Sequence, residues 1–399
     1  MKPEHISDAL NQLSDEMIEE TDDIRTRKPA PRKKWGLWAA ACLCVVIAGA
    51  AILPRLGTAP PDPGQEDGLP LLEITMESGG MGFEGLIYYD FSEMVNGNPW
   101  HEGMELTTLP VFCNNSYSAA GIPHGLTQEE MEERIQTAAQ ALGLEVTYLE
   151  PEVEGSTGSD VPPGTVTRVT GYAGGVEIEA EANGTLTVDF DTKTHDGLSL
   201  PEEYRFEYCD ITDQEAEAVL DYLLDRYSAL VNFRQPQRAI FRDRNIYGEL
   251  GVDYRAYDAA GDDAEDLLNY SFRQVDFAPD GEGNLMLIRL YDGLACAEKI
   301  GDYPLISLEE ARQALLAGQY VTTVPYDFPG EDHVYGGELV YQGGRTEQVF
   351  IPYYRFYADI SREFPNWDDT GLKNYGAYYV PAVEHQYLKP GWQWDGSFN

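Results

Sequence analysis

Nineteen consecutive uncharged residues, Trp35 to Leu53, lie between Arg32-Lys33-Lys34 and Pro54-Arg55. At about 1.5 Å of helix rise per residue, such a run reaches close to the roughly 30 Å of a bilayer's hydrocarbon core. Trp35 and Trp38 stand at its basic end, where indole rings favour the headgroup level. The run reads as one membrane span. With Arg32, Lys33, Lys34, Trp35 and Trp38 at the interface, it divides everything else into an inside and an outside.

Charge sets the orientation. Arg25, Arg27, Lys28, Arg32, Lys33 and Lys34 precede the span, and only Arg55 follows it closely. The positive-inside rule then keeps the N-terminus in the cytoplasm. A cleavable signal peptide has a shorter charged flank, a shorter apolar core and small residues at its end. Here the flank is 34 residues and Pro54-Arg55-Leu56 follows, so the span reads as an uncleaved anchor.

The first 55 residues hold eight basic and eight acidic side chains, which leaves 19 and 61 of the 27 and 69 for the rest of the chain. The entire net charge of −42 therefore belongs to the outer part. Nucleic-acid binding needs clustered Lys and Arg to replace counterions, so such a surface excludes it. The chain has 26 tyrosines and 43% hydrophobic residues, which argues for packed domains rather than an acidic disordered tail. Only Cys113, Cys209 and Cys296 lie beyond the span, so no disulfide framework holds the outer part together.

Inside, Ile6, Leu10, Leu13 and Met17 recur at helical spacing behind Ser7, a good N-cap, and form a narrow apolar stripe. The tail offers nothing to cover it, which points to docking on a partner protein. Residues 25–34 make a basic, Pro-broken connector, and residues 54–70 an extended linker rich in Pro and Gly.

Outside, one pattern recurs. Leu126-Thr127 with Glu130, Ile211-Thr212 with Glu215, and Ile306-Ser307 with Glu310 are capping boxes with an apolar staple residue ahead of each. Helical periodicity follows each, Gly143 and Gly318 end the first and third helices, and strand-like runs come next. The cap positions fall 85 and 95 residues apart, which fits a repeated helix-then-sheet unit, although boxes also mark unrelated helices. The expected class is α+β: a cytoplasmic tail (1–34), a transmembrane helix (35–53), a linker (54–70), and two outer domains (71–209 and 210–399) of antiparallel sheets, each covered by a helix.

Chemistry is sparse. Gly80-x-Gly82-x-x-Gly85 leads into a strand, so it reads as a flexible entry and not a dinucleotide loop. The clusters Asp189-Asp191-Asp196 and Asp258-Asp262-Asp263-Asp266 lack calcium-loop spacing and read as solvated loops. No zinc spacing and no nucleophile elbow occurs. The expectation is a non-enzymatic protein without cofactor or metal. Tyr375, Tyr378, Tyr379, Tyr387, Trp392 and Trp394 read as sheet-forming side chains, with the two tryptophans as candidates for a contact surface.

From about Ile246 to His385, the segments at residues 269–285, 302–320, 338–342, 350–360 and 378–385 together resemble the extracytoplasmic domain of membrane-anchored two-component regulators of the YycI type, and more broadly PepSY-like domains. The tail at residues 6–23 with Lys33-Lys34-Trp35 and a single span resembles membrane regulators of Gram-positive Clostridia. The resemblance implies a non-enzymatic regulator whose partner is a histidine kinase or a sigma factor; the alternative readings are a cell-surface carbohydrate- or protein-binding module that uses the C-terminal aromatics and, behind it, an extracytoplasmic hydrolase. Protease added to intact cells should remove epitopes beyond Arg55 and spare one before Arg25; the inverse pattern would reverse the topology.

Overall fold

The computed structural model describes residues 68–74, 85–116, 125–153, 164–190, 197–343, 347–364, 370–394 and 396. The stripe Ile6, Leu10, Leu13 and Met17, the interface set Arg32 to Trp38 and the span itself lie outside the described residues. Among those described, no helix is long and apolar enough to cross a membrane. They belong to one compact unit.

All three capping boxes form. Thr127, Thr212 and Ser307 each accept from the backbone N–H of the glutamate three residues on, and that glutamate returns to the cap's own N–H. They open α1 (Gln128–Ala141), α2 (Asp213–Arg226) and, later in the chain, a helix at Leu308–Leu316. Gly143 and Gly318 both sit at positive φ just beyond a helix, where a side chain would be strained.

After α1 come β3 (Tyr148–Val153), β4 (Val166–Ala173), β5 (Val176–Glu181) and β6 (Leu186–Asp189), preceded in the chain by β1 (Gly85–Tyr88) and β2 (Thr108–Asn114). After α2 come a single turn α3 (Ser228–Val231), β7 (Pro236–Arg238), β8 (Tyr254–Asp258), α4 (Asp263–Phe272), β9 (Gln274–Pro279) and β10 (Leu285–Leu290). The two sets of four strands join into one antiparallel sheet in the order β3-β4-β5-β6-β10-β9-β8-β7. The last strands of the two sets meet at its middle, Val188 opposite Ile288. α1 and α2 therefore cover the same face of one sheet, with Met131, Ile135, Val219, Leu220 and Leu223 packed against Val169, Ile178, Val188 and Ile288. The expectation of a separate sheet under each helix is corrected here: apart, the two four-stranded sets would have four edges, and pairing β6 with β10 leaves only β3 and β7 as edges. The 209/210 boundary falls between the two halves of this sheet.

The remaining strands are β11 (Ala297–Pro304), β12 (Val321–Thr322), β13 (Val334–Tyr341), β14 (Val349–Phe350), β15 (Pro352–Asp359) and β16 (Lys373–Pro381), with α5 at Leu308–Leu316. A five-stranded sheet runs β1-β16-β15-β13, with β12 also on β16, and a three-stranded sheet runs β11-β2-β14. The five-stranded sheet is buried on both faces. Tyr354, Phe356, Tyr378 and Val380 pack with Ala311 and Leu315 of α5 on one side. Tyr353, Tyr357, Tyr375 and Tyr379 pack with Leu72, Tyr88 and Tyr387 on the other. This is why β15 and β16 read as nearly unbroken aromatic and aliphatic runs.

One segment joins the two large sheets. Residues 87–98 bond the chain between β7 and β8, through Arg244 N to Ile87 O (2.9 Å) and Arg242 N to Val95 O (3.0 Å). At Gly97, with φ +67, a Cβ would lie 2.5 Å from Ala239 Cα, so only glycine allows this approach. On the other side Asn96 and Asn98 donate their amides to Glu338 of β13, at 2.9 and 2.7 Å to Oε2. Arg355 of β15 donates to Glu338 Oε1 at 3.0 and 2.7 Å, and Tyr357 at 3.3 Å.

Burial opposes ionisation of Glu338, but Arg355 and the two asparagine amides overcome it and hold the carboxyl below its usual range. Both partners are largely buried, and removing one partner of such a pair costs about 3–5 kcal/mol. Glu338→Ala should therefore destabilise the folded unit by that amount in denaturant titrations. Because the folded pKa is depressed, the contribution is complete above the unfolded carboxylate value near ~4.3 and fades as pH falls through the folded one. The gap between wild type and E338A should be flat at neutral pH and close on acidification; a gap independent of pH down to strong acid would contradict the assignment.

Candidate binding cleft at the sheet junction

Alternation along the eight-stranded sheet leaves a second, polar face opposite α1 and α2. The registers align Glu150, Thr170, Glu179, Thr187, Arg289 and Asp276 in one row across it, ending at Arg255. Burial raises the pKa of Asp276, with Arg255 and Arg289 opposing it and Asp253 adding to it. Burial likewise raises that of Asp243.

At one end of this face lies a cleft of about 390 Å³, within the ~300–1,000 Å³ usual for small-molecule sites. Its sheet wall comes from Thr185 just before β6, Tyr291 just after β10, Gln274 at the start of β9 and Arg255 of β8. Its opposite wall comes from Asn114 and Ser116 at the end of β2, Phe350 of β14 and Gly343 beyond β13. Ser271 and Phe272, at the end of α4, close it between them with Gly293 and Asn183. Gly343 and Gly293 let the chain press on the Phe272 ring, since a Cβ would come within 2.6 and 3.1 Å of it.

The lining has a fixed part and a part with spare hydrogen-bonding capacity. Asn114 is held by Nδ2 to Glu347 O (2.8 Å) and by Ser116, whose N–H and hydroxyl both donate to Oδ1. Ser271 donates to Leu267 O and accepts from Tyr341 N. Asn183 donates to Glu181 Oε2 and accepts from Thr185 N. By contrast, the Gln274 amide donates to Tyr270 O and keeps its oxygen, and the Tyr291 hydroxyl accepts from Arg289 Nη1 (3.2 Å) and keeps its proton. Arg255 binds Asp253 through Nη2 alone, and Thr185 retains its hydroxyl. Among the described residues the lining holds no carboxylate, histidine or cysteine.

None of these residues was a candidate from sequence, and the reason is traceable. Asp262 accepts from Glu265 N and caps α4, so the second acidic cluster is a helix start with Asp263, Glu265 and Asp266 in the favourable first turn. The Asp262-x-x-Glu265 spacing, followed by Leu267 and Leu268, was the signal that would have found α4 and with it Ser271 and Phe272. Asp191 and Asp196 of the first cluster lie outside the described residues. Among the described residues no group of three His, Cys, Asp or Glu is placed to hold a metal. Trp392 is buried beside His385, and Trp394 packs on Tyr320, so the expected tryptophan contact surface is part of the core.

No protein-family model and no curated protein matches the chain.

The three described thiols are free, and burial pushes each of them up from the ordinary cysteine value. A thiol of raised pKa is a poor nucleophile. Maleimide should modify Cys113, Cys209 and Cys296 slowly in the native domain at neutral pH and fully in denaturant. Rapid native labelling of any one would mark it as activated.

Proposed function

We propose that the chain is a non-enzymatic, single-pass membrane regulator. Its outer domain binds a ligand in the cleft, and its cytoplasmic stripe of Ile6, Leu10, Leu13 and Met17 contacts a histidine kinase or a sigma factor. The observation that carries the reading is the composition of the cleft: its walls come from the eight-stranded sheet and the three-stranded sheet, so an occupant touches both. A ligand with different affinity for two arrangements of its walls shifts the balance between them, and this is the physical requirement of a sensor.

A route toward the linker supports the same reading. Leu72 N donates to Tyr387 O (2.7 Å) and Lys389 N to Leu72 O (2.8 Å), while Lys389 Nζ meets Glu73 at 2.6 Å. The first described residues after the linker are thus clamped to the end of the five-stranded sheet's chain. The span with its basic inner flank and acidic outer part supplies the topology. An adhesion module gripping its target with the C-terminal aromatics is disfavoured, since Tyr375, Tyr378, Tyr379 and Trp392 are buried.

Crosslinked pull-down from membranes should recover a kinase or sigma factor with the full chain and lose it when residues 1–24 are deleted or when Leu10 and Leu13 are replaced by Asp. An unchanged partner set would place the whole function outside the membrane.

A further inference from the structure

The cleft's chemistry narrows what it takes. Within a chain of net charge −42 its lining carries, among the described residues, one charged group, Arg255, and that guanidinium is already paired with Asp253. The site is close to neutral, and the field of the surrounding domain disfavours anions entering it. A cation finds no carboxylate in the lining to balance it.

What the lining offers is a mixture of donors and acceptors close together. The Tyr291 proton and the remaining Arg255 N–H groups donate, the Gln274 oxygen accepts, and the Thr185 hydroxyl does both. Tyr291 also presents a ring in the lining, 37% exposed, with the Arg289 guanidinium 6.0 Å from its centre. Groups that donate and accept from the same atom, on a framework with apolar C–H faces, match such a lining; hydroxyls on a pyranose ring have both properties. An extended peptide is a poorer match, because strand addition draws on unpaired backbone groups, whereas the sheet wall of this cleft is a run of side chains from strands already paired on both sides.

We infer that the cleft between Thr185, Gln274, Tyr291 and Arg255 is a binding site for an uncharged, polyhydroxylated ligand, a neutral glycan segment. The inference rests on the cleft being the outer domain's binding site, as in the function proposed above.

The test uses the full chain in nanodiscs, avoiding sugar-based detergents, on a printed array of neutral and uronic-acid or sialic-acid oligosaccharides. The wild type should bind neutral members in preference to acidic ones. Gln274→Ala with Tyr291→Ala should weaken that binding about tenfold or more. Thr185→Trp, which fills the cleft without removing a side-chain bond the fold uses, should abolish it at an unchanged melting midpoint. No neutral member bound, acidic members preferred, or binding retained in T185W would each overturn the assignment. Capture of unstructured neutral peptides instead, spotted on the same array, would also overturn it. A chain that binds neutral glycans through this cleft yet keeps its partners when residues 1–24 are deleted would refute the relay and leave the ligand assignment standing.

Discussion

A buried carboxylate holds this domain together. Glu338 sits on β13 with six donor contacts from Asn96 and Asn98 of the 87–98 segment and Arg355 and Tyr357 of β15, so three separate parts of the chain meet at one carboxylate. A charge removed from water is costly unless each lone pair finds a donor, so the site tolerates little rearrangement. The consequence reaches well beyond the pair. Asn96 also accepts from Tyr270 of α4 through its backbone oxygen (3.1 Å), and its neighbours bond the chain leading into β8. Arg244 clasps Glu93 with two bonds on the same segment (2.8 and 3.1 Å). One loop thereby fixes where the five-stranded sheet lies against the eight-stranded one.

The cleft is a product of that arrangement. α4 leaves the eight-stranded sheet between β8 and β9 and crosses to β13, where Tyr341 N meets Ser271. Its last residues then close a gap between the end of β2 and the polar sheet face. The seam where β6 meets β10 lies beside that gap, which places Thr185 and Tyr291, one residue beyond the paired strands, at its edge. A polar cleft bounded by paired strands and a helix end keeps its groups in place before any ligand arrives, and preorganised groups bind at lower entropic cost.

The local rules of the chain were legible where the signal was chemical and short-range. Thr127, Thr212 and Ser307 announce their helices because the box needs only residues three apart, and Gly143 and Gly318 announce the ends because only glycine takes that φ cheaply. The mixed α+β class with antiparallel sheets follows from the same runs. Long-range pairing was not legible. Nothing in the residues of β6 and β10 states that they meet, and β14 leaves its neighbours in the sequence to join β2. The aromatics of β16 read as sheet-forming side chains, but burial on both faces erases the alternation that would show which of them face which side. The cleft was invisible for a related reason: Thr185, Arg255, Gln274 and Tyr291 are ordinary residues far apart in sequence, and only strand register brings them together.

The central claim is that Glu338 couples the two large sheets through the 87–98 segment. Hydrogen exchange by mass spectrometry on wild type and Glu338→Ala tests it directly. The account predicts that protection falls together in residues 91–98, in α4 and in β8, as well as in β13 and β15. Loss of protection confined to residues 91–98, with α4 and β8 unchanged, would contradict it.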